Sequence, residues 1–222
     1  MAQPIRTIIF SGQDPHADPW HPLADTSAAI AKILGDAHSV ATVTTLGQLD
    51  AALDGVDLLV VNASANRSTP IAEDDEFARI LDAFLARGGS LLALHSAAIA
   101  FPGLPIWRST IGAVWDHDRT FHPPIDQTLI QRSGVDHPIV DGLGDFEVYD
   151  ERYTHLDLVD DGGSEPLYTH REDGTVHPLV WARSVGGGRV VYDGLGHDPR
   201  SYESPGHVDL LTRAVSWLRH QI

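Results

Sequence analysis

Two histidines stand where a buried strand gives way to a loop. His95 follows the unbroken apolar run Ser90–Leu94, and His197 follows a β-branched segment that breaks into Gly194-Leu195-Gly196. In an open parallel sheet, groups at the carboxyl ends of strands face the ligand crevice. Two imidazoles that converge there can act as acid and base near neutral pH, or as metal ligands. Position alone supports a structural role for His95 equally well.

The first hundred residues predict a parallel sheet, which would place His95 at the carboxyl end of one of its strands. Strands are expected at 6–10, 40–44, 56–62 and 90–94, and helices at 26–36, 46–53 and 73–86. Thr26 is the expected cap of the first helix. Strand and helix alternate in this way in doubly wound α/β sheets with right-handed crossovers. Ser11 follows the first strand and is therefore a candidate for substrate binding at the same edge.

The loop after this first strand is rich in proline and polar residues. It is either an active-site loop or a surface connection, since loops of this composition serve both purposes. Its notable side chains are Asp14, His16, Asp18, Trp20 and His21.

The pattern changes after residue 100. Residues 101–124 are rich in proline, carry two tryptophans and have no clear period, which predicts an irregular excursion over the sheet edge or the site. This excursion is also a candidate contact in a homo-oligomer. Short strands without intervening helices are then expected, which implies an antiparallel extension of the sheet. They lie at 125–131, 146–154, 165–169, 179–183 and 189–192, and an amphipathic helix follows at 207–220.

Composition excludes several classes of protein. The 222 residues are 42% hydrophobic, enough for one sizeable core, so a single domain over 1–222 is expected. The formal net charge of -16 argues against nucleic acid and anionic membranes as partners. Without cysteine there are no thiolate metal sites and no cysteine nucleophiles. The glycines 186–188 precede a strand, whereas a dinucleotide-binding motif follows one, so neither NAD nor FAD is expected.

No secretory signal and no membrane-spanning stretch is recognisable, so a cytoplasmic location is expected.

Motifs spread along nearly the whole chain resemble the trehalose-utilisation, or ThuA-like, family. They are the His95 strand, Asp136–Ile139, Asp150–Tyr153, Pro178–Trp181, and Gly188–Val190 with Leu195–His197. The resemblance implies a flavodoxin-like α/β fold similar to that of class I glutamine amidotransferases. It also implies a role in bacterial sugar metabolism, associated with disaccharides that are oxidised at the 3-position.

The amidotransferase-like fold implied by this family places His95 and His197 at positions that are catalytic in amidotransferases. In amidotransferases the nucleophilic cysteine follows a strand similar to residues 91–94. The resemblance therefore implies that His95 stands at the position of this cysteine and His197 at the position of the histidine that activates it. Without a thiol, amidotransferase activity is excluded. The Asp-Glu-x-Tyr motif of the family makes Glu151 the third candidate, as base or orienting group. Taken by itself, the same motif is more simply a salt bridge to Arg152.

These residues lead to a hypothesis about the reaction. A ketone at carbon three acidifies the neighbouring C–H bond, so His95, Glu151 and His197 are expected to remove a proton and stabilise an enolate. We therefore expect a carbohydrate-active lyase, hydrolase or isomerase whose partner is a small sugar. The candidates for substrate binding are Ser11, His122, Tyr153, Trp181 and Asp198, with His117 as an alternative to His122 and a core position as an alternative for Trp181.

Two other functions remain open, as does a metal. A glycosidase with two carboxylates would need Asp150 or Asp198 opposite Glu151. A non-catalytic sugar-binding or regulatory protein is the second alternative. No cofactor is certain. Zinc or manganese would take His95, His197 and Glu151 as ligands, although the sequence has no pair of ligands at the local spacing that catalytic zinc sites usually show.

Overall fold

The computed structural model describes residues 5–35 and 38–222, whose regular elements are eleven strands and five α-helices. The strands are β1 (Ile5–Ser11), β2 (His38–Val43), β3 (Leu58–Asn62), β4 (Ser90–Leu94), β5 (Ala113–Val114), β6 (Asp126–Arg132), β7 (Phe146–Asp150), β8 (Asp157–Leu158), β9 (Ser164–Glu172), β10 (Thr175–Val185) and β11 (Gly188–Asp193). The helices are α1 (Leu23–Leu34), α2 (Leu46–Ala52), α3 (Ala72–Ala86), α4 (Pro105–Ile111) and α5 (Pro205–Leu218). Among the described residues, no helix is long and apolar enough to cross a bilayer.

Nine of the strands form one sheet in the order β2-β1-β3-β4-β11-β10-β9-β6-β7. The first five in this order pair in parallel, so the expected α/β fold with a largely parallel sheet is confirmed. β11 lies directly beside β4, with Asp193 opposite Leu94. Residue 95 and the loop that begins at 194 therefore leave the same edge of the sheet side by side.

The antiparallel extension is confirmed in part. β10 pairs antiparallel with β11 and β9, and β6 continues the sheet antiparallel to β9 and β7. The last strand, β11, was expected to belong only to this antiparallel extension. On its other side it pairs in parallel with β4. The strand predicted at 146–154 ends at Asp150, so that residues 151–154 are free to turn over the sheet edge.

Helices cover both faces of the parallel half. Ile8 and Phe10 of β1 pack into a core with α2, α3 and α4, whereas Ile9 packs into a second core with α1 and α5. Side chains alternate between the faces of a strand, and both faces of β3 and β4 are buried. Such two-sided burial explains why both strands are continuous apolar runs.

Two helices differ from the sequence-based expectation. α1 begins at Leu23 rather than at Thr26, so the Thr26 side chain lies inside its first turn, where it accepts a hydrogen bond of 2.8 Å from Asn62 Nδ2. α4 lies within the excursion that was expected to be irregular. Pro105 starts α4 and Gly112, with a φ of 86°, ends it. Its seven residues are too few to show a clear helical period.

A buried ion pair ties α5 to the end of β11. His207 Nε2 lies 3.1 Å from Asp193 Oδ2, and His207 Nδ1 lies 2.8 Å from the Ser201 hydroxyl. Burial lowers the pKa of His207, but the Asp193 carboxylate outweighs this effect and raises the pKa above its ordinary value. Folding therefore favours the protonated imidazole.

We expect the contribution of His207 to stability to depend on pH. It should be fully present below the unfolded-state pKa of about 6.5, and it should be lost as the pH rises through the higher folded-state value. His207→Gln should lower the free energy of unfolding by about 3 kcal/mol at low pH, and by less in alkaline solution. Urea denaturation of both proteins across this range measures the difference, and a difference independent of pH would contradict the prediction.

Candidate functional site

Three imidazoles and one carboxylate converge at the carboxyl edge of the parallel strands. They belong to His21, His95, Glu151 and His197, and one nitrogen or oxygen atom of each lies within 4.8 Å of the others. His95 directly follows β4, Glu151 directly follows β7, and His197 lies four residues after β11, while His21 ends the loop between β1 and α1. The sheet order therefore assembles the cluster from distant parts of the chain.

His95 is buried and held in one orientation. Its Nδ1 lies 2.8 Å from the carbonyl oxygen of Gly194, which can only accept a hydrogen bond, so Nδ1 carries a proton. The other ring nitrogen, Nε2, then faces the cluster, 3.6 Å from Glu151 Oε2. The backbone φ of His95 is 40°, in the left-handed region that non-glycine residues rarely adopt. Strain of this kind is typical of functional sites.

Glu151 is the central acidic group of the cluster. Its Oε2 lies 3.1 Å from His197 Nδ1, and its Oε1 lies 3.5 Å from His122 Nδ1. Burial raises the pKa of Glu151, but His197 and His95 outweigh burial and hold the pKa below its ordinary value. Burial likewise lowers the pKa of His197, and Glu151 reverses this effect and raises it. Glu151 is thus an ionised carboxylate surrounded by imidazoles.

Asp150 is next to Glu151 in the chain but has a different task. It is fully buried, and its carboxylate accepts hydrogen bonds from three backbone N–H groups. These belong to Glu151, at 2.8 Å, Gly196, at 2.7 Å, and His197, at 3.1 Å. Asp150 therefore fixes the loop that carries His197, and its oxygens are occupied.

His21 is the cluster residue for which the sequence left a functional and a surface role open. Its Nδ1 lies 2.7 Å from Asp18 Oδ2, and the Ser64 hydroxyl donates to the same carboxylate oxygen. Its Nε2 accepts a hydrogen bond of 3.1 Å from the Tyr153 hydroxyl. Burial lowers the pKa of His21. Burial raises that of Asp18, yet the bonds from His21 and Ser64 outweigh it and lower the Asp18 pKa to about 2.

A pocket of about 520 Å³ opens above the cluster. His21, Glu151 and His197 contribute to its lining, and so do the aromatic residues Trp20, Trp115 and Tyr153. Aromatic faces beside polar groups suit a ligand with apolar and hydroxylated sides, such as a sugar ring.

The structure brings together most of the predicted site residues. His95, Glu151, His197, His122 and Tyr153 meet at this pocket or directly beneath it. His117, the alternative to His122, lines the pocket as well. His122 is the one whose imidazole approaches Glu151.

Three predicted substrate contacts lie outside this pocket. Ser11 donates its hydroxyl hydrogen to the carbonyl oxygen of Leu23 at 3.2 Å, and it therefore fastens the start of α1. Trp181 is a core residue, as its position within a strand also allowed, and its indole N–H donates to the carbonyl oxygen of Ile111 at 2.7 Å. Asp198 is paired with Arg200 and caps the 3-10 helix Pro199–Glu203.

The remaining histidines include a second group away from the pocket. His155, His170 and His177 lie close together, with ring centroids 4.5 Å apart for His155 and His177 and 5.3 Å apart for His170 and His177. Burial lowers the pKa of His170 to about 4. In the part of the chain that the structure describes, they join no cluster with convergent metal-ligand atoms.

The fold and the pocket together define a class: a flavodoxin-like α/β domain with a histidine–carboxylate site at the carboxyl edge of its sheet. The sequence matches the family described as ThuA, trehalose utilisation, over residues 6–218. The chain belongs to this family. A search of curated proteins finds no match.

Solved structures agree with this assignment at the level of the fold. A structure from Parabacteroides merdae described as ThuA-like has a TM-score of 0.76 at 19% identity, with 97% of this chain and 90% of that chain covered. One from Bacteroides uniformis, also described as ThuA-like, has a TM-score of 0.75 at 18% identity, with 98% and 93% covered. The β-galactosidase of Rahnella sp. R3 has a TM-score of 0.65 at 16% identity, but only 31% of that chain is covered.

Proposed function

We propose that the protein is an enzyme that acts on an oxidised sugar, in particular a 3-keto-glycoside, by removing a proton next to the ketone. The observation that carries this proposal is the position of Glu151, an ionised carboxylate among imidazoles at the base of an aromatic pocket. The family description, trehalose utilisation, supports a substrate related to sugars.

The proposed reaction starts at carbon two of the sugar. A base takes the proton from this carbon, and the electron pair of the C–H bond forms an enolate with the neighbouring ketone. The enolate then expels the glycosidic oxygen from carbon one, which gives an enone and a released alcohol once that oxygen has gained a proton. Protonation of the enolate at another carbon instead gives an isomer. Glu151 is the proposed base, and His95 and His197 supply the positive charge or hydrogen bonds that stabilise the enolate oxygen.

The contacts of the carboxylates favour this reaction over hydrolysis by a two-carboxylate glycosidase. Such an enzyme needs a second carboxyl group that is free to act opposite Glu151. Asp150 is bound by three backbone N–H groups, and Asp198 is paired with Arg200. Asp18 lines the pocket, but its carboxylate is bound to His21 and Ser64. The likeness to β-galactosidases is one of fold, over about a third of those chains.

Turnover of matched sugars tests the proposal. We expect the protein to consume a 3-keto-glucoside and to leave the same glucoside without the ketone unchanged. His197→Ala should abolish the activity and change the thermal midpoint little, because this side chain lines the pocket and is not part of either core. His220→Ala, at an exposed position after α5, is the matched control and should keep full activity.

Three results would overturn the proposed function. One is turnover of the unoxidised glucoside at a rate equal to that of the keto-sugar, which would indicate a conventional glycosidase. The second is an active His197→Ala variant. The third is binding of the keto-sugar by the wild-type protein without turnover, which would indicate a sugar-binding protein.

A further inference from the structure

We propose that His21, His95, Glu151 and His197 form a binding site for a divalent transition-metal ion. Within residues 5–35 and 38–222, this is the one group of at least three histidine or carboxylate side chains whose ligand atoms converge in this way. Three imidazole nitrogens with one carboxylate oxygen suit Zn²⁺, Mn²⁺ and their neighbours in the first transition row. The cluster extends the set of ligands expected from the sequence by His21.

Unsatisfied nitrogen atoms are the first argument for a cation. His95 Nε2 and His197 Nδ1 are buried, and neither makes a well-aligned hydrogen bond, although both lie beside the Glu151 carboxylate. A buried polar atom without a partner is costly, so native structures rarely leave two of them in one place. Both atoms face Glu151, at 3.6 Å and 3.1 Å. A cation between the rings and the carboxylate would satisfy all three groups.

The outer contacts of the imidazoles are the second argument. Histidine ligands of metals usually donate their other N–H group to a carboxylate or a carbonyl oxygen, which fixes the tautomer and the ring orientation. His21 has such a contact with Asp18, and His95 has one with the carbonyl oxygen of Gly194. The backbone of His197 is held by Asp150. The rings of His21 and His95 are therefore oriented before a cation arrives, and the backbone position of His197 is fixed.

An ion pair between Glu151 and a protonated His197 is the competing explanation for the cluster. This ion pair would neutralise the negative charge of Glu151, but it needs only His197 and gives no reason for the other two imidazoles to lie there. The ring centroids of His21, His95 and His197 lie 4.9 to 5.5 Å apart, and three imidazolium ions at this spacing would repel each other. A metal uses all three rings in their neutral form. The Tyr153 hydroxyl, which now donates to His21 Nε2, would have to give up this hydrogen bond.

The metal would also refine the proposed function, and this part of the inference rests on that function. The cluster lies at the base of the open pocket, so a bound ion would be accessible to an oxygen atom of the substrate. A divalent cation is a strong stabiliser of enolate charge. With Glu151 as a ligand, the role of base would pass to another group of the pocket, and His122, whose Nδ1 lies 3.5 Å from Glu151 Oε1, is the candidate.

Metal binding can be measured without any substrate. We would strip the purified protein with a chelator, add Zn²⁺, Mn²⁺ or Co²⁺ separately, and determine the bound metal by elemental analysis and the affinity by calorimetry. We expect one ion per chain, a rise in thermal midpoint on binding and, for Co²⁺, visible d–d absorption. Because no turnover is involved, failure of the proposed reaction would leave this result unaffected.

Variants identify the site. Glu151→Gln and His95→Ala should each lose the bound ion, and Asp18→Asn should weaken binding about 10- to 100-fold through the orientation of His21. His177→Ala, in the second histidine group, is the matched control and should bind like the wild type. Circular dichroism checks that each variant is folded, and the nearly isosteric Glu151→Gln decides the matter if His95→Ala is not. The proposal is overturned if none of the three metals binds saturably, if binding survives unchanged in the folded Glu151→Gln variant, or if His177→Ala loses the ion as well.

Discussion

Asp150→Asn should destabilise the protein and inactivate it together. The Asp150 carboxylate accepts three backbone N–H groups, two of them in the loop after β11. An asparagine keeps one acceptor oxygen and turns an NH₂ group toward the donors that remain. Hydrogen bonds to charged groups are the strong ones, so we expect the free energy of unfolding to fall by about 3 kcal/mol. This is a large part of the roughly 5–15 kcal/mol that stabilises a typical domain.

The loss of activity in Asp150→Asn has a separate cause. The loop that it holds carries His197, and the carbonyl oxygen of Gly194 in the same loop orients His95. A shifted loop therefore displaces two of the four cluster residues at once. Denaturant unfolding, turnover of the keto-glucoside and metal affinity measure the three effects.

Glu147→Gln is the control for Asp150→Asn. Glu147 lies on the same strand, three residues earlier, and its side chain is exposed. Its substitution should change stability, turnover and metal affinity little. The role given to Asp150 is refuted if Asp150→Asn and Glu147→Gln have equal effects.

Gly12→Ala should disturb the loop that carries His21, whereas Asp150→Asn disturbs the loop that carries His197. Gly12 follows β1, and a Cβ atom at this position would lie 1.9 Å from the carbonyl oxygen of His16 and 3.0 Å from Ala63 Cα. Both atoms belong to the backbone, so the loop itself must move. This loop carries Asp18 and His21. We expect a loss of about 1–3 kcal/mol in the free energy of unfolding, as for overpacked sites, and weaker metal binding.

Gly47→Ala is a matched substitution with the opposite expected sign. Gly47 lies in α2, and a Cβ atom there would meet nothing within 4 Å. Alanine is the better helix former, so Gly47→Ala should raise the free energy of unfolding by about 0.5–1 kcal/mol and leave metal binding unchanged. Melting curves of both variants, with and without Zn²⁺, make the comparison. Equal destabilisation by both alanines would contradict the account of Gly12.

Local patterns in the sequence predicted the elements whose signals are local. β4 has the predicted bounds, and α3 begins one residue before the predicted start, because a continuous apolar run and a clear helical period mark them. The pairing of β11 with β4 could not be predicted in this way. A strand shows in its own residues that it is buried, but not which neighbour covers it or in which direction.

The same limit explains the result for the site. His95 and His197 were identifiable because each follows a strand, and Glu151 because it belongs to a motif that resembles the family. The different roles of Asp150 and Glu151 depend on which carboxylate meets the backbone of a loop more than forty residues later. Trp181 is a prediction that failed for the same reason. A tryptophan can stack on a sugar ring, but the indole N–H of Trp181 donates to a backbone carbonyl group in the core.

The four cluster residues span positions 21 to 197, and β11 closes the central sheet beside β4 about a hundred residues after it. Contacts between such distant positions form late in folding, because long loops must close first. During synthesis, the cluster cannot form until His197 has left the ribosome. A chain that stops before β11 lacks His197 and cannot assemble the proposed metal site, so the capture of a metal ion would report that β11 has joined β4.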